Sequence, residues 1–235
     1  MIESIEFKDG CMSFPEKQNL LSSVNMTLPM NCNVAIQGQR GTGKSTFLKL
    51  VCGLNIPHSG EVLINQNSIS NLSFNEFLPY RLNIGYGFDY GGLLNNRSVY
   101  DNLKLPLLYH KVFSEDKAHK QVMHYLDIFN LTEVANERPP SISGGRRKEV
   151  CVARAFVMEP EMLILDDPTT GLNAENKKSL IKLIKHKRSE GILKHLFYTS
   201  EDLTFVSELV EQVITLRQGE AVYLNLEAQK VVGEV

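Results

Sequence analysis

No two cysteines are spaced as CxxC, and the four that occur, Cys11, Cys32, Cys52 and Cys151, are scattered with no histidine nearby. That pattern speaks against a zinc site or a disulfide framework and reads as small, reduced hydrophobic residues of a cytosolic protein. Positive charge is not in excess: 25 Lys+Arg stand against 27 Asp+Glu, a net charge of −2. The basic face that nucleic acid would require is therefore not expected. No apolar run approaches the ~20 residues of a spanning helix, so the chain is not expected to cross a membrane. Met1–Glu6 has neither a basic nor an apolar leader region, and no signal peptide is expected. Internal repeats and low-complexity segments are missing too. What remains is ordinary globular composition, 43% apolar and 22% charged over 235 residues. This suits one large domain or two small lobes, burying roughly 70% of the unfolded surface.

Hydrophobic spacing predicts strands at Ile2–Phe7, Ser22–Leu28, Val34–Gln37, Gly60–Asn65 and Arg81–Phe88. Between them, Phe47, Leu48, Val51 and Cys52 share one face of a helix over Lys44–Gly53. From Ser98 to about Met158 the pattern is helical. Val99, Leu103 and Leu107 form one stripe, which Pro106 should end or kink. Val122, Leu126 and Phe129 form another, and Gly144-Gly145 opens a third helix. Met162–Leu165 is continuously apolar and ends in Asp166-Asp167, as a strand buried on both faces does. A charged helix from Asn173 to Glu190 precedes strands at His195–Thr199 and Gln212–Leu216, with a hairpin at Gln218-Gly219. Alternating strands and helices predict an α/β fold with a mainly parallel sheet.

The chemistry begins where the third strand meets a glycine-rich turn. Gly38-Gln39-Arg40-Gly41-Thr42-Gly43-Lys44-Ser45-Thr46 fits G-x-x-x-x-G-K-[ST], the phosphate-binding loop. Glycines let backbone N–H groups close around phosphate oxygens, and the following helix presents its positive end. Lys44 is expected at the β- and γ-phosphates of ATP and Ser45 at Mg²⁺. Asp166, ending a buried strand, is the expected second contributor to Mg²⁺, held through water. Ser143-Gly144-Gly145 offers a second anion-binding helix start, or simply a capping serine with glycine neighbours.

Taken in order, GQRGTGKST at 38–46, ISGGRRKEVCVARAF at 142–156 and EPEMLILDDPTTGLN at 159–173 resemble the ATPase domain of ABC transporters, and the resemblance covers essentially the whole chain. It implies an α/β P-loop NTPase with a mainly parallel core sheet, an antiparallel β region and a helical subdomain. Residues 1–90 and 156–235 would form the core and about 91–155 the helical lobe. It further implies that two such ATPase subunits, identical or different, pair head to tail around two ATPs. Ser143, Gly144 and Gly145 of one would then contact ATP bound by the other. The loop after Phe88 would transmit closure to an integral-membrane permease, placing the chain peripherally on the cytoplasmic face of the cell membrane. Phe14 stands where the family has an aromatic stacked on adenine; a core aromatic is the alternative.

Several positions depart from the family pattern. Asp89 replaces the usual Gln that meets Mg²⁺ and the attacking water. Asp167 replaces the Glu that polarises that water and sits about 1.5 Å further back, where misplacement by ~1 Å can cost about a hundredfold. Ser200 replaces the His at the γ-phosphate, and Asn173 an Asp. Arg146 replaces Gln, and Glu149 stands at a usually basic position. Changes at Asp89, Asp167 and Ser200 around one phosphate suggest firm binding and slow hydrolysis. The alternative is that Asp167 still serves as the base.

The stretch Tyr90–Leu103, followed by Pro106-Leu107 and His110, is similar to ATPases of the bacterial Mce/maintenance-of-lipid-asymmetry lipid transporters. Lipoprotein-release and cell-division ATPases share part of it. Two alternatives stay open: a non-hydrolysing, ATP-gated regulatory subunit, and a generic exporter helix start at Val99–Asn102. Lys177, Lys178, Lys182, Lys185, Lys187 and Arg188 are expected on a solvated helix face, with Leu180, Ile181, Leu183 and Ile184 inward. Arg146-Arg147-Lys148 is likewise expected on a helix surface. The tail Asn225–Val235 reads equally as a short helix or a partner contact.

Overall fold

A computed structural model describes residues 1–14, 17–89, 92–109, 113–217 and 220–224, with the side chains of 14, 17–19 and 222–224 left out. The first strands are β1 (Ile5–Phe14), β2 (Lys17–Thr27) and β3 (Asn33–Gln37). Helix α1 (Lys44–Val51) follows, then β4 (Ser59–Ile64) and the short β5 (Asn67–Ser68). Next come α2 (Phe74–Leu82) and β6 (Ile84–Gly87). Three helices occupy the middle of the chain: α3 (Val99–Tyr109), α4 (Glu115–Ile128) and α5 (Gly144–Phe156). The last third alternates β7 (Met162–Leu165), α6 (Ala174–Ser189), β8 (His195–Tyr198), α7 (Leu203–Leu209), β9 (Gln212–Arg217) and β10 (Glu220–Leu224).

Two sheets result. β2-β1-β4-β5 is antiparallel, and β10-β9-β3-β8-β7-β6 is parallel except at its β10 edge. The parallel strands alternate between two cores, as their period of two requires. Val34, Ile36, Met162, Ile164 and Phe197 face the core shared with α1 and the antiparallel sheet. There Phe7 stacks on Phe47 with centroids 5.1 Å apart. Ala35, Leu163, Leu165, Leu196 and Tyr198 face the core that holds the stripes of α3, α4, α5 and α6. Each fully buried Leu, Ile or Phe contributes roughly 1.5–3 kcal/mol over its exposed state. The expected α/β P-loop architecture, with its antiparallel region and helical segment, is the one observed.

Four local expectations are corrected. The strand placed at Arg81–Phe88 is only Ile84–Gly87, and Arg81 and Leu82 end helix α2. The signal for α2 was Ser73-x-x-Glu76. Ser73 Oγ accepts from the Glu76 N–H at 3.4 Å, while Glu76 accepts from the Ser73 N–H at 2.9 Å, a reciprocal cap. Pro106 does not end α3, which continues to Tyr109; Leu103 and Leu107, on either side of it, are fully buried and hold the helix in place. Lys187 is not on the solvated face: it is 8% exposed, and its ammonium meets Glu159 at 2.8 Å. Lys148, expected on a helix surface, is 6% exposed. Tyr90, Gly91, His110, the turn at Gln218-Gly219 and the tail from Asn225 lie outside the described residues, as does the side chain of Phe14.

Candidate nucleotide site

The phosphate loop, Asp89, Asp166, Thr199 and Ser200 all lie just beyond the carboxyl ends of parallel strands. Open α/β sheets bind ligands at that edge. Pairing of Leu165 with Gly87 on one side and Tyr198 on the other sets Asp166 beside Thr199. The loop enters from β3, with β8 between it and β7.

The loop is shaped by its first glycine. Gly38 has φ of +146°, and a Cβ there would come within 2.6 Å of the Leu216 carbonyl oxygen and 2.8 Å of Thr42 Oγ1. The loop is also fastened from inside, as Thr42 Oγ1 donates to the Gln39 carbonyl at 2.9 Å. Lys44 folds back over it, donating to the carbonyls of Gly38 at 2.8 Å and Gln39 at 3.0 Å. At the start of α1, Ser45 Oγ donates to Asp166 Oδ1 at 3.0 Å. Thr199 Oγ1 donates to the same oxygen at 3.1 Å, and the Tyr86 hydroxyl reaches Oδ2 at 3.5 Å. Burial raises the Asp166 carboxyl above its ordinary range, although Ser45 and Thr199 oppose the shift. A buried carboxylate with a serine hydroxyl in contact is a donor set suited to a hard, oxygen-seeking divalent ion, and the cationic loop beside it suits the phosphates that such an ion accompanies.

These groups line a cavity of about 880 Å³ that contains Gly38, Arg40, Gly41, Gly43, Lys44, Ser45, Thr46, Asp89, Asp166, Asp167 and Ser200. The structure therefore gathers most of the residues expected at the nucleotide. Gln39 is tied to the loop through its carbonyl.

Ser143, Gly144 and Gly145 are not brought to that cavity. Ser143 caps α5, its Oγ accepting from the Arg146 N–H at 3.3 Å. Gly144 and Gly145 open onto a second cavity of about 590 Å³, which shares Asp89 and Thr170 with the first. Gly145 is pressed against the loop after β7, where a Cβ would lie 2.6 Å from the Gly171 carbonyl oxygen.

The positions expected to depart from the family pattern carry bonds of their own. Asp167 has φ of +44° and directs its carboxylate at its own loop, accepting from Thr170 Oγ1 at 2.5 Å and Thr169 Oγ1 at 3.5 Å. Ser200 Oγ shares a 2.7 Å hydrogen bond with Thr169 Oγ1. Asn173 caps α6, accepting from the Asn176 N–H at 2.7 Å. Glu149 is buried; Asn176 Nδ2 donates to it at 2.5 Å and Arg146 pairs with it at 3.4 Å. Burial raises the Glu149 carboxyl, while Asn176 and Arg146 hold it down. Arg146 also reaches the Asn130 carbonyl. Asp89 pairs with Lys148 at 3.0 Å.

Sequence reasoning missed Thr199, Tyr86, Lys148, Thr169 and Thr170. The first could have been found as the residue following a parallel strand next to β7. The others belong to contacts that only the fold creates. All four cysteines are free thiols, and burial pushes Cys52 up to about 12 and Cys32 up to about 11.

Loop, strand-end carboxylate and sheet order together define a P-loop ATPase cassette. The family model for "ABC transporter" matches residues 21–170, and the chain belongs to that family, as its ATP-binding domain. The methionine import ATP-binding protein MetN of Mannheimia succiniciproducens is 30% identical over 88% of the chain. The chain spans 59% of that relative's own length. The lipoprotein-releasing system ATP-binding protein LolD of Saccharophagus degradans is 30% identical over 93% of the chain and 95% of its own. The solved ATP-binding cassette MJ0796, dimeric and bound to ADP and Pi, superposes with a TM-score of 0.84 at 26% identity, covering 94% of this chain and 98% of its own. These likenesses reach the family without singling out the lipid subgroup. Among the described residues, no helix is long and apolar enough to cross a membrane.

Proposed function

We propose that this chain is the ATP-binding subunit of a bacterial membrane transporter, binding Mg-ATP at the loop Gly38–Thr46 and hydrolysing it slowly. The observation that carries the reading is the 3.0 Å contact between Ser45 and Asp166. It joins the phosphate loop to a buried strand-end carboxylate beneath a cavity of nucleotide size. Ser45 and Asp166 would hold Mg²⁺, and the ion would supply positive charge against the phosphate oxygens. Lys44, which donates to the Gly38 and Gln39 carbonyls, would donate to the phosphates of a bound nucleotide. Backbone N–H groups of Gln39, Arg40, Gly41 and Gly43 and the start of α1 at Lys44, Ser45 and Thr46 would form the cradle, with Gly38 at the turn and Thr42 bracing the loop from inside. Phe14 remains the proposed adenine contact. The placement of Ser143, Gly144 and Gly145 away from the loop supports their use on nucleotide held by a second copy or a related subunit.

Slow hydrolysis is supported by the bonds at Asp167 and Ser200. A carboxylate already accepting from Thr170 and Thr169 is less available to polarise water, and Ser200 offers no imidazole. Asp89 lines the same cavity but is bound to Lys148.

A permease contact, which would place the chain peripherally at the cytoplasmic membrane face, is supported by a third cavity of about 440 Å³. It lies between β6 and the helical segment 91–155 and is lined by Phe88, Leu105, Pro106, Tyr109 and Arg154. Leu105 is 42% and Tyr109 71% exposed. For the cargo we favour a lipid or lipid-anchored substrate. The support is the stretch around Val99–Leu107 and the likeness to a lipoprotein-releasing protein; the likeness to methionine importers is the competing indication.

The test is to purify the tagged chain from native membranes in Mg-ATP, identify the co-purifying proteins, and titrate it with a fluorescent ATP analogue. Nucleotide binding that Lys44→Ala weakens by about tenfold to a hundredfold, with a permease in the complex, is the expected result. No nucleotide binding by the native chain would refute the reading.

A further inference from the structure

Lys148 is the fifth residue of α5, and its ammonium sits among four oxygens. It donates to the Asp89 carbonyl at 2.6 Å, Asp89 Oδ1 at 3.0 Å, the Phe88 carbonyl at 3.4 Å and the Asp166 carbonyl at 3.5 Å. Three of these are backbone carbonyls just past the ends of β6 and β7; the fourth is the only carboxylate it pairs with among the described residues. The two partners differ in exposure: the Lys148 side chain is 6% exposed and that of Asp89 is 52% exposed. Asp89 lines both the phosphate-loop cavity and the cavity of Gly144-Gly145.

A free carboxylate at this place would repel the polyphosphate of ATP, since like charges a few ångströms apart interact strongly where water is partly excluded. A buried ammonium without a counter-charge would be equally unfavourable. Each residue makes the other tolerable. The Glu149 carboxylate on the same helix is engaged elsewhere, by Asn176 and Arg146, so it does not compete for Lys148.

Resting on the ATP-binding reading, we propose that Lys148 is a positioning residue of the nucleotide site: it neutralises Asp89 and ties the end of β6 to the Ser-Gly-Gly helix. Nucleotide affinity without divalent cation then depends on this ion pair. With divalent cation present the dependence shrinks, because the cation supplies the missing positive charge. A purely structural lysine would not distinguish the two conditions.

The experiment titrates the full chain with a fluorescent ATP analogue in EDTA and in excess Mg²⁺. It compares the native chain with Lys148→Met, Asp89→Gln and the double variant. Lys148→Met is expected to lose about tenfold or more in EDTA and about threefold or less in Mg²⁺. Asp89→Gln removes a negative charge from the lining of the phosphate-loop cavity and leaves the nearby ammonium uncompensated, so it is expected to bind more tightly in EDTA, the opposite sign. The double variant is expected to return to within about threefold of the native chain, by the logic of a double-mutant cycle. Equal losses in EDTA and Mg²⁺, or a double variant no better than Lys148→Met, would overturn the proposal. If Lys148→Met does not fold, the sign for Asp89→Gln decides: weaker or unchanged binding in EDTA overturns it. A native chain that binds no nucleotide in either buffer refutes the ATP reading beneath it, a result distinct from either.

Discussion

The Asp167 carboxylate accepts a 2.5 Å hydrogen bond from Thr170 Oγ1, within its own loop. The loop turns there because Asp167 lies at φ of +44°, a conformation that Asp tolerates better than most residues. A side chain one methylene longer would carry its oxygens past the two threonine hydroxyls. Asp167 lines the phosphate-loop cavity, but its shortness and its bonds to the two threonines keep its carboxylate engaged within its own loop.

Asp166 is the carboxylate proposed to hold Mg²⁺. Burial raises it, so its ionised form lowers apo stability at neutral pH. Asp166→Asn should leave the apo melting temperature unchanged or higher, and should abolish most of the extra stabilisation that Mg²⁺ adds to ATP. Thermal melts with ATP in EDTA and in Mg²⁺ check this. A variant that keeps the full Mg²⁺ increment would remove Asp166 from the metal site.

Gly145 packs against Gly171 too closely for any side chain. Gly145→Ala should lose about 1–3 kcal/mol by overpacking, seen as a lower melting temperature and urea midpoint. Gly144→Ala has room: only the far end of Arg147 lies near, at 3.9 Å. It should change stability by well under about 1 kcal/mol. Equal effects of the two substitutions would contradict the packing.

Buried His195 makes acid stability a local matter. Its Nδ1 faces the Asn31 N–H at 2.9 Å and its Nε2 the Ile2 carbonyl at 3.0 Å. This network assigns a neutral ring protonated on Nε2. Burial depresses it from its ordinary 6.5. The stability it confers is therefore full above about 6.5 and lost as pH falls through the lower folded value. Each unit of depression amounts to about 1.4 kcal/mol. Urea unfolding between pH 7.5 and 5 should steepen with acid in the native chain and less so in His195→Gln. Identical slopes would contradict the assignment.

Much of this was legible in the sequence. The loop Gly38–Thr46, the fully apolar Met162–Leu165 and the stripes of α3 and α4 are local patterns with a single physical meaning, and they fell where expected. Helix α2 was missed because Pro79 and weak amphipathicity hid it, although its capping box was in plain view. Lys148 and Lys187 were misplaced because charge was taken to mean exposure; each is buried against a partner distant in sequence, Asp89 or Glu159. The threonines around Asp166 and Asp167 could not be read locally, since sheet order and the turn after β7 bring them in.

Slow turnover at an intact binding loop is the central claim. The measurement that bears on it most directly is phosphate release from Mg-ATP by the native chain, Lys44→Ala and the double variant Asp167→Glu/Ser200→His. The account predicts little release above Lys44→Ala for the native chain. The double variant should gain about tenfold or more, since a positioned base and acid contribute about a hundredfold or more. A native chain that hydrolyses ATP at several per second, is abolished by Lys44→Ala and gains nothing from the double variant would contradict it.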